Sequence, residues 1–192
     1  MERLHACATH AMTVDERKAR LELLFRQYSS RVLDYAHSRG MSWAESEDVV
    51  AEVYLVCWRR LDDVPSDALP WLFGVARKVV ANRHRSRRRR DALRERAEQN
   101  LPGLSQDVPR GGGDAVLLAA LHQLSERDQE ILLLVGWDDL SHEEVARVLG
   151  CKPRAVRVRL FRAKGRLLKH MEHIRTYREV GEEISTGKLG AS

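Results

Sequence analysis

The sequence has no long apolar run. Its longest, Ala115 to Leu121 and Ile131 to Trp137, reach about a third of the roughly 20 residues that a membrane-spanning helix needs, so no membrane insertion is expected. The amino terminus, with Glu2 and Arg3, carries no apolar stretch of about 7 to 15 residues ahead of a small-residue cleavage site, so no secretory signal is expected either. Cysteine is scarce. Cys7, Cys57 and Cys151 are far apart and odd in number, which excludes a disulfide framework and points to a reducing, cytoplasmic setting. Aromatic residues make up only 6% of the chain. No segment alternates with period two for long enough to form a strand. Paired carboxylates at metal-binding spacing are missing, as is a Ser or Tyr set among convergent arginines, so neither an enzyme nor a bound cofactor or metal is expected. The loose set His5, Cys7 and His10 does not have the spacing of a metal site.

What remains is a helix-rich chain of 192 residues, 43% apolar and 32% charged, with net charge +5. That length suits one domain or two small ones, and the basic balance makes an anionic partner plausible. The charge is segregated. Gly40 to Pro70 holds seven acids against Arg59 and Arg60, and Trp71 to Arg96 holds ten bases against two acids. The order then repeats: seven acids against two bases from Glu126 to Arg147, then eight bases and no acid from Gly150 to His170. Two acidic-then-basic units imply two modules, each presenting one basic surface. Between them Asn100 to Asp114 contains Pro102, Gly103, Pro109 and Gly111 to Gly113, the composition of a flexible linker.

Four Ser/Thr-x-x-Glu/Asp signatures, beginning at Thr13, Ser42, Ser125 and Ser141, predict helix starts, because the hydroxyl can accept from a free amide while the acid reaches back. Apolar residues follow at helical spacing: Leu21, Leu24, Tyr28, Val32 and Tyr35; Val49, Val53, Val56 and Leu61; Val145, Val148 and Leu149. Pro70 and Pro153 fit first helical turns. The predicted fold is all-α, with two small helical domains joined by a linker.

Each basic segment has the chemistry of a nucleic-acid surface. On a helical wheel Leu72, Phe73, Val75, Ala76, Val79 and Val80 share one core-facing arc. Gly74, Arg77, Lys78, Asn82, His84 and Arg85 fill the opposite arc, with Gly74 leaving room and Trp71 at the boundary, off the apolar stripe. Unpaired bases need an aromatic to stack on, cations for phosphate and an amide for base edges. The arginine run from Arg83 to Arg90 repels itself unless an anion is near. In the second segment, Ser141 to Leu149 forms a capped helix, Gly150-Cys151-Lys152 a turn whose glycine can take positive φ, and Pro153 opens a second helix. Ala146 and Val156 would let the two helices approach, the arrangement of a helix-turn-helix. Val156, Leu160, Ala163 and Leu167 form the inner stripe of the second helix. Arg154, Ala155, Val158, Phe161 and Arg162 face outward, with Arg157 at the flank, where Arg can read guanine and Val or Phe can meet a thymine methyl in a major groove.

These residues resemble the bacterial RNA polymerase sigma factors of the extracytoplasmic-function group. Asp48 to Leu61 looks like that family's polymerase-binding helix, Leu69 to Asn82 like its −10 recognition and melting segment, and Leu124 to Leu167 like the region 4 that reads the −35 element. The resemblance implies region 2 over 1–96, a linker over 97–114, region 4 over 115–175 and a tail over 176–192. It implies that Asp48 and Glu52 dock on core RNA polymerase and that Trp71, Lys78, Asn82 and Arg85 bind the separated −10 strand. The same six residues of the last helix would then meet −35 promoter DNA, and an anti-sigma factor would be a further partner. The family pattern is broken at Lys78, where many members carry Asn, and at Ala51, where many carry Gln. The rival readings are a helix-turn-helix regulator acting on duplex DNA without polymerase, and a recombinase-like enzyme.

Overall fold

The computed structural model describes residues 12–97 and 115–185; the expected linker, apart from Ala97 at the end of the third helix, and His5, Cys7 and His10 lie outside them. Among the described residues there are seven α-helices and no strand. Three helices form the first half: α1 (Val14–His37), α2 (Trp43–Arg59) and, after a single 3-10 turn at Leu61–Asp63, α3 (Leu69–Ala97). The second half contains α4 (Ala115–His122), α5 (Glu126–Gly136), α6 (His142–Leu149) and α7 (Pro153–Ser185).

The four local signatures start four helices. Thr13, Ser42 and Ser141 form complete capping boxes with Glu16, Glu45 and Glu144, and Ser125 accepts from the Asp128 amide. Each satisfies an amide that the helix itself leaves free. Pro70 and Pro153 lie in the first turns of α3 and α7. α4 carries no such signature, and the sequence did not single it out as a helix.

In the first half, α1, α2 and α3 pack mutually around Val32, Tyr35, Val49, Val53, Cys57, Leu61, Leu72 and Phe73, all essentially inaccessible. The wheel reading of α3 holds: Leu72, Phe73, Ala76, Val79 and Val80 are buried and Val75 is half-buried. Trp71 departs from it. Its ring is half-buried against the core, with the Arg60 guanidinium 6.0 Å from the ring centre. In the second half α4, α5 and α6 all pack on α7. The inner stripe Val156, Leu160 and Ala163 is buried, while Leu167 is half-buried.

The halves are not independent. α3 lies against α6, and buried side chains of both halves join in one apolar core. Gly74 faces this contact: a Cβ there would stand 4.0 Å from the Val148 carbonyl oxygen of α6, an ordinary contact distance. Around this contact is a polar cluster. The Arg39 guanidinium, 7% exposed, reaches Asp138 Oδ2 at 2.9 Å and Glu130 Oε1 at 3.4 Å. Tyr35 donates its hydroxyl to Glu130 at 2.9 Å, and Arg31 donates to the Asp138 carbonyl. Farther out, Arg147 meets Asp67 and Arg88 meets Glu126, each at 2.6 Å.

Candidate polymerase and nucleic-acid interfaces

On α2 the core stripe Val49, Val53 and Cys57 turns Asp48, Ala51, Glu52 and Leu55 outward. These follow the i, i+3, i+4, i+7 spacing of one helix face. Asp48 and Glu52, 69% and 48% exposed at their side chains, share one cation: Arg83 of α3 approaches them at 3.4 and 3.3 Å. Arg83 is a residue the sequence reading did not assign; only the fold brings it across from α3. Leu55, 58% exposed, adds an apolar step to the acidic ridge. At the start of α2, Arg87 donates to Glu45 at 2.6 Å. That bond, together with the Ser42 amide, lowers the Glu45 pKa to about 2.

On α3, Lys78, Asn82 and Arg85 are exposed and lie on one side of the helix. Arg85 donates to the side-chain amide oxygen Oδ1 of Asn82, which organises the pair. Lys78 and Arg85 line a cleft whose opposite wall carries Trp137, Arg159 and Arg166 of the second half. Arg77, next to Lys78, reaches across to Glu130 at 3.9 Å. Trp71, about two and three turns before Lys78 and Asn82, belongs to the same helix but presents only part of its ring. His84 is half-buried with a ring nitrogen 3.0 Å from the Arg39 carbonyl, and burial depresses its pKa.

The helix-turn-helix is formed as expected. Gly150 adopts φ 63°, a left-handed conformation that ends α6 without the steric cost a side chain would incur. The Cys151 amide then bonds to the Ala146 carbonyl at 2.9 Å. Arg154, Arg157, Val158, Phe161 and Arg162 are exposed on α7, with Phe161 81% accessible; Ala155 is half-buried. Five of the six expected contact residues therefore lie on an open face of a helix whose other face is fixed in the core. Behind it, Arg166 makes two bonds to Asp128, at 2.7 and 2.8 Å, holding α7 to α5. These bonds hold the Asp128 carboxyl below its ordinary range.

Comparison with known proteins assigns both halves. Residues 24–90 match the model for sigma-70 region 2, and residues 114–167 match that for sigma-70 region 4. The chain is 30% identical over 173 residues to the RNA polymerase sigma factor NccH of Alcaligenes xylosoxydans, covering 81% of this chain and 93% of that protein. It is 29% identical over 147 residues to the ECF RNA polymerase sigma factor SigL of Mycobacterium tuberculosis, covering 74% and 83%. In fold it resembles the sigma factor RpoE of Bartonella quintana, solved with the anti-sigma factor NepR: TM-score 0.59, 21% identity, 79% of this chain and 96% of that one. The chain belongs to the extracytoplasmic-function group of RNA polymerase sigma factors and is an alternative sigma factor that directs transcription initiation.

Proposed function

We propose a division of labour among three surfaces. The α2 ridge with Asp48 and Glu52 docks on core RNA polymerase. The α3 side carrying Trp71, Lys78, Asn82 and Arg85 captures the separated −10 strand. The outer face of α7, with Arg154, Ala155, Arg157, Val158, Phe161 and Arg162, enters the −35 major groove. On this reading region 2 spans 1–96, a linker 97–114 and region 4 115–175, with 176–192 as a tail.

The recognition face of α7 carries the proposal. Phe161 is exposed among Arg154, Arg157, Val158 and Arg162, while Val156, Leu160 and Ala163 hold the opposite side. A thymine methyl can take the apolar contact and guanine the guanidinium groups, with other cations left for phosphate. Melting follows from differential binding. A strand bound only when unpaired shifts the duplex equilibrium toward opening by the free energy of that binding. No catalytic group is required. The working location is the cytoplasm, where polymerase and promoter are, and an anti-sigma factor is the expected antagonist.

Run-off transcription with core polymerase on a promoter library, with and without this protein, tests the reading. Starts that depend on the protein and share −35 and −10 sequences are expected. Tight operator binding by the free protein, with no effect on polymerase, would favour a helix-turn-helix regulator instead.

A further inference from the structure

The outer face of α7 can read bases only if the helix enters the groove at one angle. An α-helix rises about 1.5 Å per residue, so Phe161 lies about 12 Å beyond Pro153. A tilt of about 10° at that end would move Phe161 by about 2 Å, more than a hydrogen bond to a base edge tolerates. At its start α7 is set by the turn at Gly150 and by the Cys151 amide, bonded to the Ala146 carbonyl at 2.9 Å. Along its length Val156, Leu160 and Ala163 are buried in the core. Apolar burial is non-directional. It decides which side of α7 faces inward and leaves the tilt, and the position along the axis, to other contacts.

A polar contact supplies this at the far end. Arg166, one turn past Arg162, meets Asp128 of α5 edge-on: Nε donates to Oδ2 at 2.8 Å and Nη2 to Oδ1 at 2.7 Å. Two parallel bonds define a direction as well as a distance. Asp128 is itself held, since Oδ2 accepts from the Ser125 hydroxyl at 3.0 Å and the Asp128 amide donates to the same hydroxyl oxygen at 3.3 Å. The carboxylate is thus fixed to the first turn of α5, a helix seated in the core through Ile131 and Leu134. Among the described residues, Arg166 is the only cation of α7 from Arg154 to Lys169 with a carboxylate partner, which sets it apart from those left for DNA. The recognition residues therefore lie between two anchors. We propose that Arg166 and Asp128 are positioning residues for −35 readout: they hold the angle of α7 in the major groove, and Arg166 does this in place of contacting phosphate. This role rests on the reading of α7 as the −35 surface.

The full chain with core polymerase tests this on a promoter recovered from the run-off library, beside copies substituted at single −35 positions. Arg166→Gln and Asp128→Asn should each reduce discrimination between these duplexes by about tenfold, a coupling of the size found within one polar network. The melting temperature should fall by at most about 4 °C, as for a partly exposed pair. Arg166→Lys keeps the charge, loses the fork and should not restore discrimination. The double variant should lose no more than either single one, because both remove the same contact. Salt dependence separates positioning from phosphate contact. Arg166→Gln should leave the slope of log affinity against log salt unchanged. A slope shallower by about one, with all sequences weakened alike, would make Arg166 a phosphate contact and overturn the proposal. Undiminished discrimination by both single variants would overturn it as well. Wild-type protein that does not distinguish the −35 copies would instead overturn the reading of α7 itself, and the role of the pair with it.

Discussion

At 81% exposure Phe161 contributes almost nothing to the core. Phe161→Ala should therefore leave the melting temperature unchanged and weaken promoter binding only where the base it meets is thymine; equal binding to thymine and uracil templates by wild type would disprove the methyl contact. For Arg157→Ala or Arg162→Ala the expected loss is about 1 to 3 kcal/mol at particular −35 positions if a base edge is contacted. If only phosphate is contacted, all sequences weaken alike and the salt dependence becomes shallower. Titrations at several salt concentrations separate the two. Trp71 is different, because it was expected off the apolar stripe yet packs half-buried beside Arg60. A wheel counts only neighbours along one helix, and Arg60 comes from the end of α2 before the 3-10 turn. Trp71→Ala should accordingly destabilise region 2, by less than the about 3 to 5 kcal/mol of a fully buried ring. It should also slow opening of the −10 region. A template already mismatched there should recover the opening defect and leave the stability loss; no recovery would remove Trp71 from the melting surface.

At the scale of the element, what was legible was what is local. A hydroxyl and a carboxylate three residues apart meet by the geometry of the first turn alone, so Thr13, Ser42, Ser125 and Ser141 announced their helices. The inner faces of α3 and α7 were equally readable, being periodic over several turns. α4 was not, since eight mostly apolar residues without a Ser/Thr-x-x-Glu/Asp signature show no periodicity to distinguish them. Arg87 and Glu45, 42 residues apart, show what the fold adds to a local cap. With its carboxyl at about 2 against an ordinary 4.5, Glu45 lends α2 stability that is present above 4.5 and lost as pH falls through 2. Glu45→Gln should thus be less stable than wild type at neutral pH, with the gap closing between pH 4.5 and 2 in acid denaturation. The acidic ridge of the same helix gives a functional prediction. Asp48→Lys with Glu52→Lys places three cations together with Arg83, and should cost several kcal/mol in binding core polymerase while helix content stays constant; undiminished co-purification would contradict docking through this ridge.

At the scale of the molecule, the charge blocks announced two basic modules, and family comparison assigns both. They did not announce the contact between modules. Arg39 and Asp138 are 99 positions apart, Arg147 and Asp67 80. Nothing in their immediate neighbours distinguishes them from ordinary surface charges. Burial of the Asp138 carboxyl pushes its pKa up despite Arg39, a state that no reading of local sequence would suggest. Partition into two folding units was also the natural expectation from composition, and each half has enough helix to justify it.

The shared core bears on heat. Apolar side chains from Val32 to Ala163 form one cluster across the two halves, so melting either half exposes surface that the other was covering. Calorimetry of the free chain should then record a single endotherm, with its van't Hoff enthalpy equal to the calorimetric one, as for one cooperative unit. Arg147→Asp, which sets two acids face to face at the rim of that contact, should lower the temperature of the single endotherm without splitting it, and adding Asp67→Arg should restore it.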